Sequence, residues 1–98
     1  MNIIKALEGS TLTLKVEGRL DTTTAPELEI LLSTGLDGVT ELIFDFSDLE
    51  YLSSAGLRVL LSAQKRMTKQ GSMKLLHVNE TVKEVFEITG FADFLTIE

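Results

Sequence analysis

The sequence lacks most of the side chains on which enzymes and disulfide-stabilised domains depend. It has no cysteine, no tryptophan, one histidine and one proline in 98 residues. Without cysteine there is no disulfide bond, thiolate metal ligand or cysteine nucleophile, so the fold must rest on a hydrophobic core. The single histidine also leaves few candidates for acid–base catalysis. We therefore predict a protein that is not an enzyme and that uses no cofactor or metal.

Basic residues are also scarce, because nine Lys and Arg stand against fifteen Asp and Glu and give a formal net charge of −6. Proteins that bind nucleic acid normally present a basic surface to the phosphates, so nucleic acid is not the expected partner. No apolar run approaches the ~20 residues that a membrane-spanning helix needs, and the N-terminus has no export signal pattern. We expect a cytoplasmic protein that is not inserted in a membrane.

What is present is the composition of an ordinary globular domain, with 44% apolar and 24% charged residues. A chain of this length is about two thirds of a typical domain, which predicts a single domain over residues 1–98. Residues 11–17 alternate apolar and polar side chains, as half-buried strands do, and residues 41–46 form the short apolar run of a central strand covered on both faces. Residues at helical spacing then begin at Leu57, and they predict a helix that runs to about Gln70.

The full pattern predicts an α/β fold with a mixed sheet in the order β-β-α-β-α-β-α-β. Its other strands are expected at residues 2–6, 73–78 and 94–97, and its other helices from residue 24 and over 81–89. Thr24 and Glu27 have the spacing of a capping box, with Pro26 in the first turn where its missing N–H is harmless. For the last helix, Thr81 begins a second such box, but Asn79 is an equally suitable cap and the sequence does not choose between them.

Two adjacent serines, Ser53 and Ser54, stand where the chain enters the long helix after a short link. The simplest interpretation is that one of them caps the helix by accepting a hydrogen bond from an otherwise unpaired N–H. An exposed serine at a helix start is also a suitable phosphorylation site, because the phosphate meets the positive end of the helix dipole. Both can hold, one for each serine. Gly56 weakens the first turn, which suggests a close approach to its backbone, a partner's surface being one candidate.

Asp21 is a second polar position, at the end of the segment Gly18-Arg19-Leu20-Asp21. Its local pattern is that of a turn aspartate that accepts hydrogen bonds from nearby N–H groups. If the sheet places the loop after the second strand beside the loop after the third, Asp21 and Ser54 would line one patch. This adjacency is a hypothesis about the tertiary structure.

Catalytic and metal sites have weak support in the sequence. A serine hydrolase places its serine between two glycines and near a histidine base, whereas Ser54 has a glycine only after it and His77 lies in a predicted apolar strand. The carboxylates of residues 45–50 lack the spacing of a calcium loop. We interpret His77 as a structural strand residue and these carboxylates as solvated.

Together the segments resemble the STAS family, and within it the bacterial anti-sigma factor antagonists, over nearly the whole chain. The resemblance implies a sheet with helices on one side, in a domain that binds a serine kinase which doubles as an anti-sigma factor. It also implies that this kinase phosphorylates Ser54, two positions before the glycine, and that a separate serine phosphatase restores the hydroxyl. The segments are Gly18-Arg19-Leu20-Asp21, Asp45-Phe46-Ser47, Tyr51-Leu52-Ser53-Ser54-Ala55-Gly56-Leu57 and Phe86-Glu87-Ile88-Thr89-Gly90-Phe91.

The resemblance further implies a partner-binding surface, in which Asp21 matches the family's aspartate after the second strand. The commonest antagonist pattern has an aspartate where Ser53 stands and a hydroxyl residue where Ala55 stands. Modification of Ser53 in addition to Ser54, or instead of it, therefore stays open. The residues expected to contact the partner are Asp21, Thr22, Ser53, Ser54, Gly56, Leu57 and Arg58.

Two functions follow as alternatives. In the first, the domain with unphosphorylated Ser54 sequesters the anti-sigma factor and frees the sigma factor, which regulates transcription by partner switching. In the second, the domain is a constitutive subunit of a transport or signalling complex, and the serine only caps its helix. The presence or absence of phosphate on Ser54 after incubation with the kinase and ATP distinguishes the two.

Overall fold

The computed structural model describes residues 1–98. Five strands and three α-helices follow one another, and a single 3₁₀ turn, Phe91–Asp93, comes after the last helix. In chain order the elements are β1 (Asn2–Glu8), β2 (Thr11–Leu20), α1 (Ala25–Gly35), β3 (Glu41–Asp45), β4 (Leu49–Leu52), α2 (Ser54–Gln70), β5 (Ser72–Leu76) and α3 (Glu80–Thr89).

The sheet is mixed, as predicted. β1 and β2 form an antiparallel hairpin across the turn at Gly9, and β2, β3 and β5 run parallel in the order β1-β2-β3-β5. This order makes β3 a central strand, which confirms that part of the sequence-based prediction. β4 is parallel to the end of β2, beyond the point where β2 leaves β3, and its register with β2 shifts between Gly18 and Arg19.

One face of the sheet holds the core. Leu12 of β2 lies opposite Leu42 of β3, which lies opposite Met73 of β5, and all three are buried. The alternation continues along each strand, and the three helices add their apolar stripes to the same cluster of 24 buried residues, none of them polar. Each fully buried leucine or phenylalanine contributes roughly 1.5–3 kcal/mol relative to an exposed one. Ile43 on the other face is only half-buried, so the expectation that β3 is covered on both faces is wrong.

Two details of the predicted order are also wrong. Residues 49–52 were expected in a link, but they form β4, because Leu49 and Leu52 are buried while the exposed residues between them hide the strand pattern. The predicted strand at residues 94–97 is reduced to one isolated bridge, in which Ile97 pairs with Leu75. The observed order is therefore β-β-α-β-β-α-β-α.

The cap of α3 is Asn79. Its Oδ1 accepts a hydrogen bond from the Val82 N–H at 2.8 Å, and its Nδ2 donates to the Leu49 carbonyl at 2.7 Å. The side chain thus closes the helix start and ties it to β4, which Thr81 does not do. None of the three helices combines the length and hydrophobicity needed to cross a bilayer.

Candidate functional site

The start of α2 is fixed to the end of β2. The Ser53 N–H donates to the Leu20 carbonyl at 2.9 Å, and the Leu57 N–H donates to the Ser53 carbonyl at 3.0 Å as the first helical bond. The loop that follows β2 begins at Asp21 and therefore lies directly beside the helix start. The tertiary structure thus brings the loop after β2 next to the start of α2, as the sequence-based hypothesis proposes.

The two serines at this start have different environments. Ser53 is the half-buried N-cap, and its Oγ accepts from the Gly56 N–H at 3.5 Å, a long and therefore weak bond. Ser54 is the first residue of α2, is exposed, and its hydroxyl makes no hydrogen bond within the chain. The first turn holds no acidic residue. Ser54 is therefore the hydroxyl that a second protein can reach at the positive end of the helix dipole.

Gly56 and Leu57 lie beneath this surface. A Cβ at Gly56 would stand 2.6 Å from Leu52 Cδ1, 2.8 Å from Leu20 Cγ and 3.0 Å from the Leu20 carbonyl oxygen. The close approach expected at this glycine is therefore made by the chain's own strand ends and not by a partner. Leu57 is only 2% exposed. Both residues support the surface from below, and neither presents a side chain to a partner in this structure.

Asp21 organises the loop between β2 and α1. Its Oδ1 accepts from the Thr23 hydroxyl at 2.8 Å and from the N–H groups of Thr23 and Thr24 at 3.0 and 3.2 Å. The Thr23 hydroxyl does most to lower the pKa of Asp21, against an opposing effect of burial, and the backbone N–H groups lower it further. The carboxylate is thus held ionised and mainly serves its own loop.

The capping box predicted at Thr24 does not form. Thr24 makes no side-chain cap, because its Oγ1 donates to the Arg19 carbonyl and accepts from the Asp21 N–H, each at 2.8 Å. Asp21, three residues before Thr24, accepts from the N–H groups of Thr23 and Thr24 in the turn that leads into the helix. A Thr24 side-chain cap would accept from the Glu27 N–H, which donates to the Thr24 carbonyl at 3.0 Å instead.

A cation–aromatic pair beside Asp21 was not predicted from the sequence. The guanidinium of Arg19 lies 4.4 Å from the centre of the Tyr51 ring, and its Nε is 3.6 Å from Asp21 Oδ2. Arg19 and Tyr51 face each other across the β2–β4 pairing. Recognising β4 as a strand is the step that would have revealed the pair.

Thr22 and Arg58 are both exposed and line a shallow groove between the starts of α1 and α2, with Ala55 at its floor. Ser54 stands one turn before Arg58 on α2. We refer to Thr22, Ser53, Ser54 and Arg58 as the α2 patch. Of the residues expected to contact a partner, these four present accessible atoms around the helix start, with Asp21 holding the loop that carries Thr22.

His77 and the acidic residues after β3 are the remaining polar groups singled out by the sequence. His77 lies after β5 and not in it, exposed, with a backbone φ of 59° that is uncommon for a residue other than glycine, so its prediction as a strand residue is wrong. Asp48 pairs with Lys15 at 3.1 Å, and this bond raises the pKa of Lys15. Nowhere do three His, Cys, Asp or Glu side chains gather closely enough to hold a metal ion.

The family model described as "STAS domain" matches residues 2–98. The chain belongs to the STAS domain family. Among curated STAS relatives, BtrV of Bordetella bronchiseptica, which is named as an anti-sigma factor antagonist, is 36% identical over 84 residues, covering 84% of this chain and 72% of BtrV. The anti-sigma-B factor antagonist of Staphylococcus aureus is 28% identical over 99 residues, covering 99% of this chain and 92% of that protein.

A solved STAS structure agrees with the fold described above. The anti-sigma factor antagonist SpoIIAA in its unphosphorylated form superposes with a TM-score of 0.85 and covers 99% of this chain and 88% of its own. Its sequence identity is 22%, so the similarity concerns the fold. It confirms the predicted α/β class with helices packed on one side of a mixed sheet.

Proposed function

We propose that the chain, as one STAS domain over residues 1–98, is an anti-sigma factor antagonist whose binding is switched off by phosphorylation of Ser54. In the unphosphorylated form it sequesters an anti-sigma factor that is also a serine kinase, so that the sigma factor is released for transcription. A serine phosphatase restores the active form. The domain is then a ligand and substrate of other proteins in the cytoplasm and not a catalyst.

The observation that carries this proposal is the difference between Ser53 and Ser54. Ser53 uses its oxygen to cap α2, whereas Ser54 is exposed and its hydroxyl is unbonded. A kinase must bring the hydroxyl to its own phosphate donor, and Ser54 needs no intramolecular bond to break for that. Phosphorylation of Ser53 would remove a cap and require movement of a half-buried side chain.

The names of the relatives support the same function. The Staphylococcus aureus protein is an anti-sigma-B factor antagonist, and the SpoIIAA structure is described as the unphosphorylated form of an anti-sigma factor antagonist. The free serine of the α2 patch is the element of this chain on which such a change of state would act.

Electrostatics explain why a single phosphate on Ser54 would be enough to prevent docking of the partner. A phosphoserine adds about −1.5 to −2 charges at neutral pH, at a patch where the first turn of α2 has no acidic residue of its own. The helix dipole and Arg58 stabilise that charge within the domain. A partner that fits closely against a neutral hydroxyl must then accommodate a bulky, charged group, and docking is lost.

The test compares Ser54→Asp with Ser54→Ala in binding to the anti-sigma factor kinase by calorimetry. We expect Ser54→Asp to weaken binding by at least ~100-fold, about 2.7 kcal/mol, because it places charge inside the interface. Ser54→Ala should bind like wild type and should not be phosphorylated when incubated with the kinase and ATP. Ser72→Asp is the matched control, because Ser72 is exposed at the beginning of β5, just beyond the last turn of α2 and far from Ser54.

Equal binding by Ser54→Asp and Ser54→Ala would contradict the switch. Together with the absence of phosphate from wild type by intact-mass measurement, that result would favour a constitutive subunit of a larger complex. Phosphate that persists in Ser54→Ala but disappears in Ser53→Ala would move the modified position to Ser53.

A further inference from the structure

The charge of this chain is distributed unevenly, and α2 is the exception. The helix holds four of the nine basic residues and none of the fifteen acidic ones. The rest of the chain therefore holds five basic and fifteen acidic residues. On α1 the charged residues are two glutamates, and α3 carries three glutamates and one lysine. A basic helix thus shares one core with two helices whose charges are mainly acidic.

Three of the four basic side chains of α2 point to solvent without a counter-ion. Arg66 is accounted for within the fold, because it pairs with Asp37 at 3.0 Å and donates to the Leu32 carbonyl. Arg58, Lys65 and Lys69 are exposed and take part in no ion pair. An unpaired group of one sign on an oppositely charged protein is available for a partner.

These three residues share one face of the helix with Ser54. Positions 54, 58, 61, 65 and 69 are separated by steps of three or four residues, which places them in one row along an α-helix. At 1.5 Å per residue the row is about 22 Å long. We call it the α2 stripe. It begins at the proposed phosphorylation site and runs to the last turn.

An apolar groove opens beside the middle of the α2 stripe. It is lined by Leu61, Gln64, Lys65 and Thr68 of α2 and by Phe94 from the C-terminal segment. Phe94 is 67% exposed, and Leu61 is half-buried. An exposed phenylalanine is costly to leave in water, and here it stands next to a lysine at the edge of a groove.

We propose that the α2 stripe and the Leu61–Phe94 groove form a docking surface for an acidic protein segment that carries an apolar anchor residue. The proposal rests on the proposed function, because it extends the same interface along α2 and gives the partner its chemistry. Acidic side chains lie along Arg58, Lys65 and Lys69, and the anchor enters the groove. A phosphate on Ser54 then adds negative charge at the beginning of a row that binds negative charge.

A narrow protein segment fits these observations better than a broad polyanion. A membrane surface or a nucleic acid is broad enough to meet the glutamates of α1 and α3 as well, and these repel negative charge. A single segment lying along the row avoids them. A phosphate backbone also offers no apolar group that could enter the groove.

The test is a titration of the full ¹⁵N-labelled chain with a blocked synthetic peptide of glutamates around one leucine. We expect amide shifts confined to the α2 stripe and to residues around Phe94. The double variant Lys65→Gln/Lys69→Gln should weaken binding roughly three- to tenfold. The double variant Lys5→Gln/Lys83→Gln, which makes the same charge change on β1 and α3, should bind like wild type.

Equal weakening by the two double variants would overturn the proposal, since the effect would then be one of net charge alone. So would an unchanged affinity for a glutamine version of the peptide, or shifts confined to other surfaces. Vesicles of phosphatidylcholine and phosphatidylserine replace the peptide in a second arm, and pelleting that depends on Lys65 and Lys69 would assign the stripe to a membrane and overturn it.

The peptide experiment needs no kinase and no phosphate. A chain that binds the peptide through the α2 stripe but shows no Ser54 switch would contradict the proposed function alone. A chain that shows the switch but leaves the α2 stripe unperturbed would contradict the docking surface alone.

Discussion

The starts of α2 and α3 solve the same physical problem in different ways. α3 is closed by Asn79, whose side chain makes two short hydrogen bonds, and by Glu80 in its first turn. α2 has a cap bond of 3.5 Å and no acidic residue in its first turn, but Gly56 lets its backbone pack against the ends of β2 and β4. The start of α3 is held by side-chain hydrogen bonds, and the start of α2 by close packing and the backbone bond from Ser53 to Leu20.

This difference decides which helix start is available to a partner. At α3 the polar groups are satisfied internally, so little is left for another molecule. At α2 packing fixes the position of the helix while the hydroxyl of Ser54 and the positive end of the dipole stay free. In the proposed switch, α2 thus supplies a rigid support whose polar groups are free for the partner.

The largest expected effect is that of Gly56→Ala, which tests whether packing holds α2. The added methyl group would overlap Leu20 and Leu52, and we expect a net loss of about 1–2 kcal/mol in the free energy of unfolding, after the gain in helix propensity. Urea denaturation measures it. Gly35→Ala in α1 is the control, since its Cβ would meet only Leu31 Cδ2 at 3.8 Å. A neutral Gly56→Ala would contradict the packing argument.

The next effect compares the two caps directly. Asn79→Ala removes the bonds to Val82 and Leu49 and should cost about 1 kcal/mol. Ser53→Ala removes only the long bond to Gly56 and should cost less than about 0.5 kcal/mol. Thermal and urea unfolding of the two variants decide the matter. Equal losses would show that the Ser53 cap is as strong as that of Asn79.

The smallest expected effect is the change in stability caused by Ser54→Asp, which adds an acidic residue to a first turn that has none. Ser54→Asp should leave the free energy of unfolding unchanged or raise it by up to about 0.5 kcal/mol, because the new carboxylate meets the helix dipole and Arg58 one turn on. Ser62→Asp, in the middle of the same helix, lacks the dipole gain and serves as control. A marked destabilisation by Ser54→Asp would mean that its loss of binding reflects damage to the fold.

Much of the fold could be read from the sequence where the pattern was long and regular. The alternation of β2 and the helical stripe of α2 predicted their elements, because one face of each is buried in a single core. β4 was missed, since four residues with a polar centre carry too little pattern. The prediction that His77 lies in a strand is wrong because β5 ends at Leu76, before the end of the apolar run.

The candidate site was predictable in part. The Ser53 and Ser54 pair at a helix start signalled a cap and an exposed hydroxyl, but which serine had which role depended on how the helix begins. The predicted capping box at Thr24 does not form, because the Thr24 hydroxyl bonds to the Arg19 carbonyl and the Asp21 N–H. Gly56 stands out in the sequence because glycine destabilises a helix. The reason for a glycine at this position is the close contact with Leu20, which is distant in the chain.

The sequence by itself determined the α/β class, the STAS resemblance, the acidic character and the position of the two serines, because composition, periodicity and local motif are properties of neighbouring residues. Only the tertiary structure decided that Ser54 is free, that Gly56 serves the core, that Arg58, Lys65 and Lys69 have no ion-pair partner, and that Phe94 lies beside Lys65. Those facts depend on contacts between segments far apart in the chain and on which side chains remain unpaired once the core has formed.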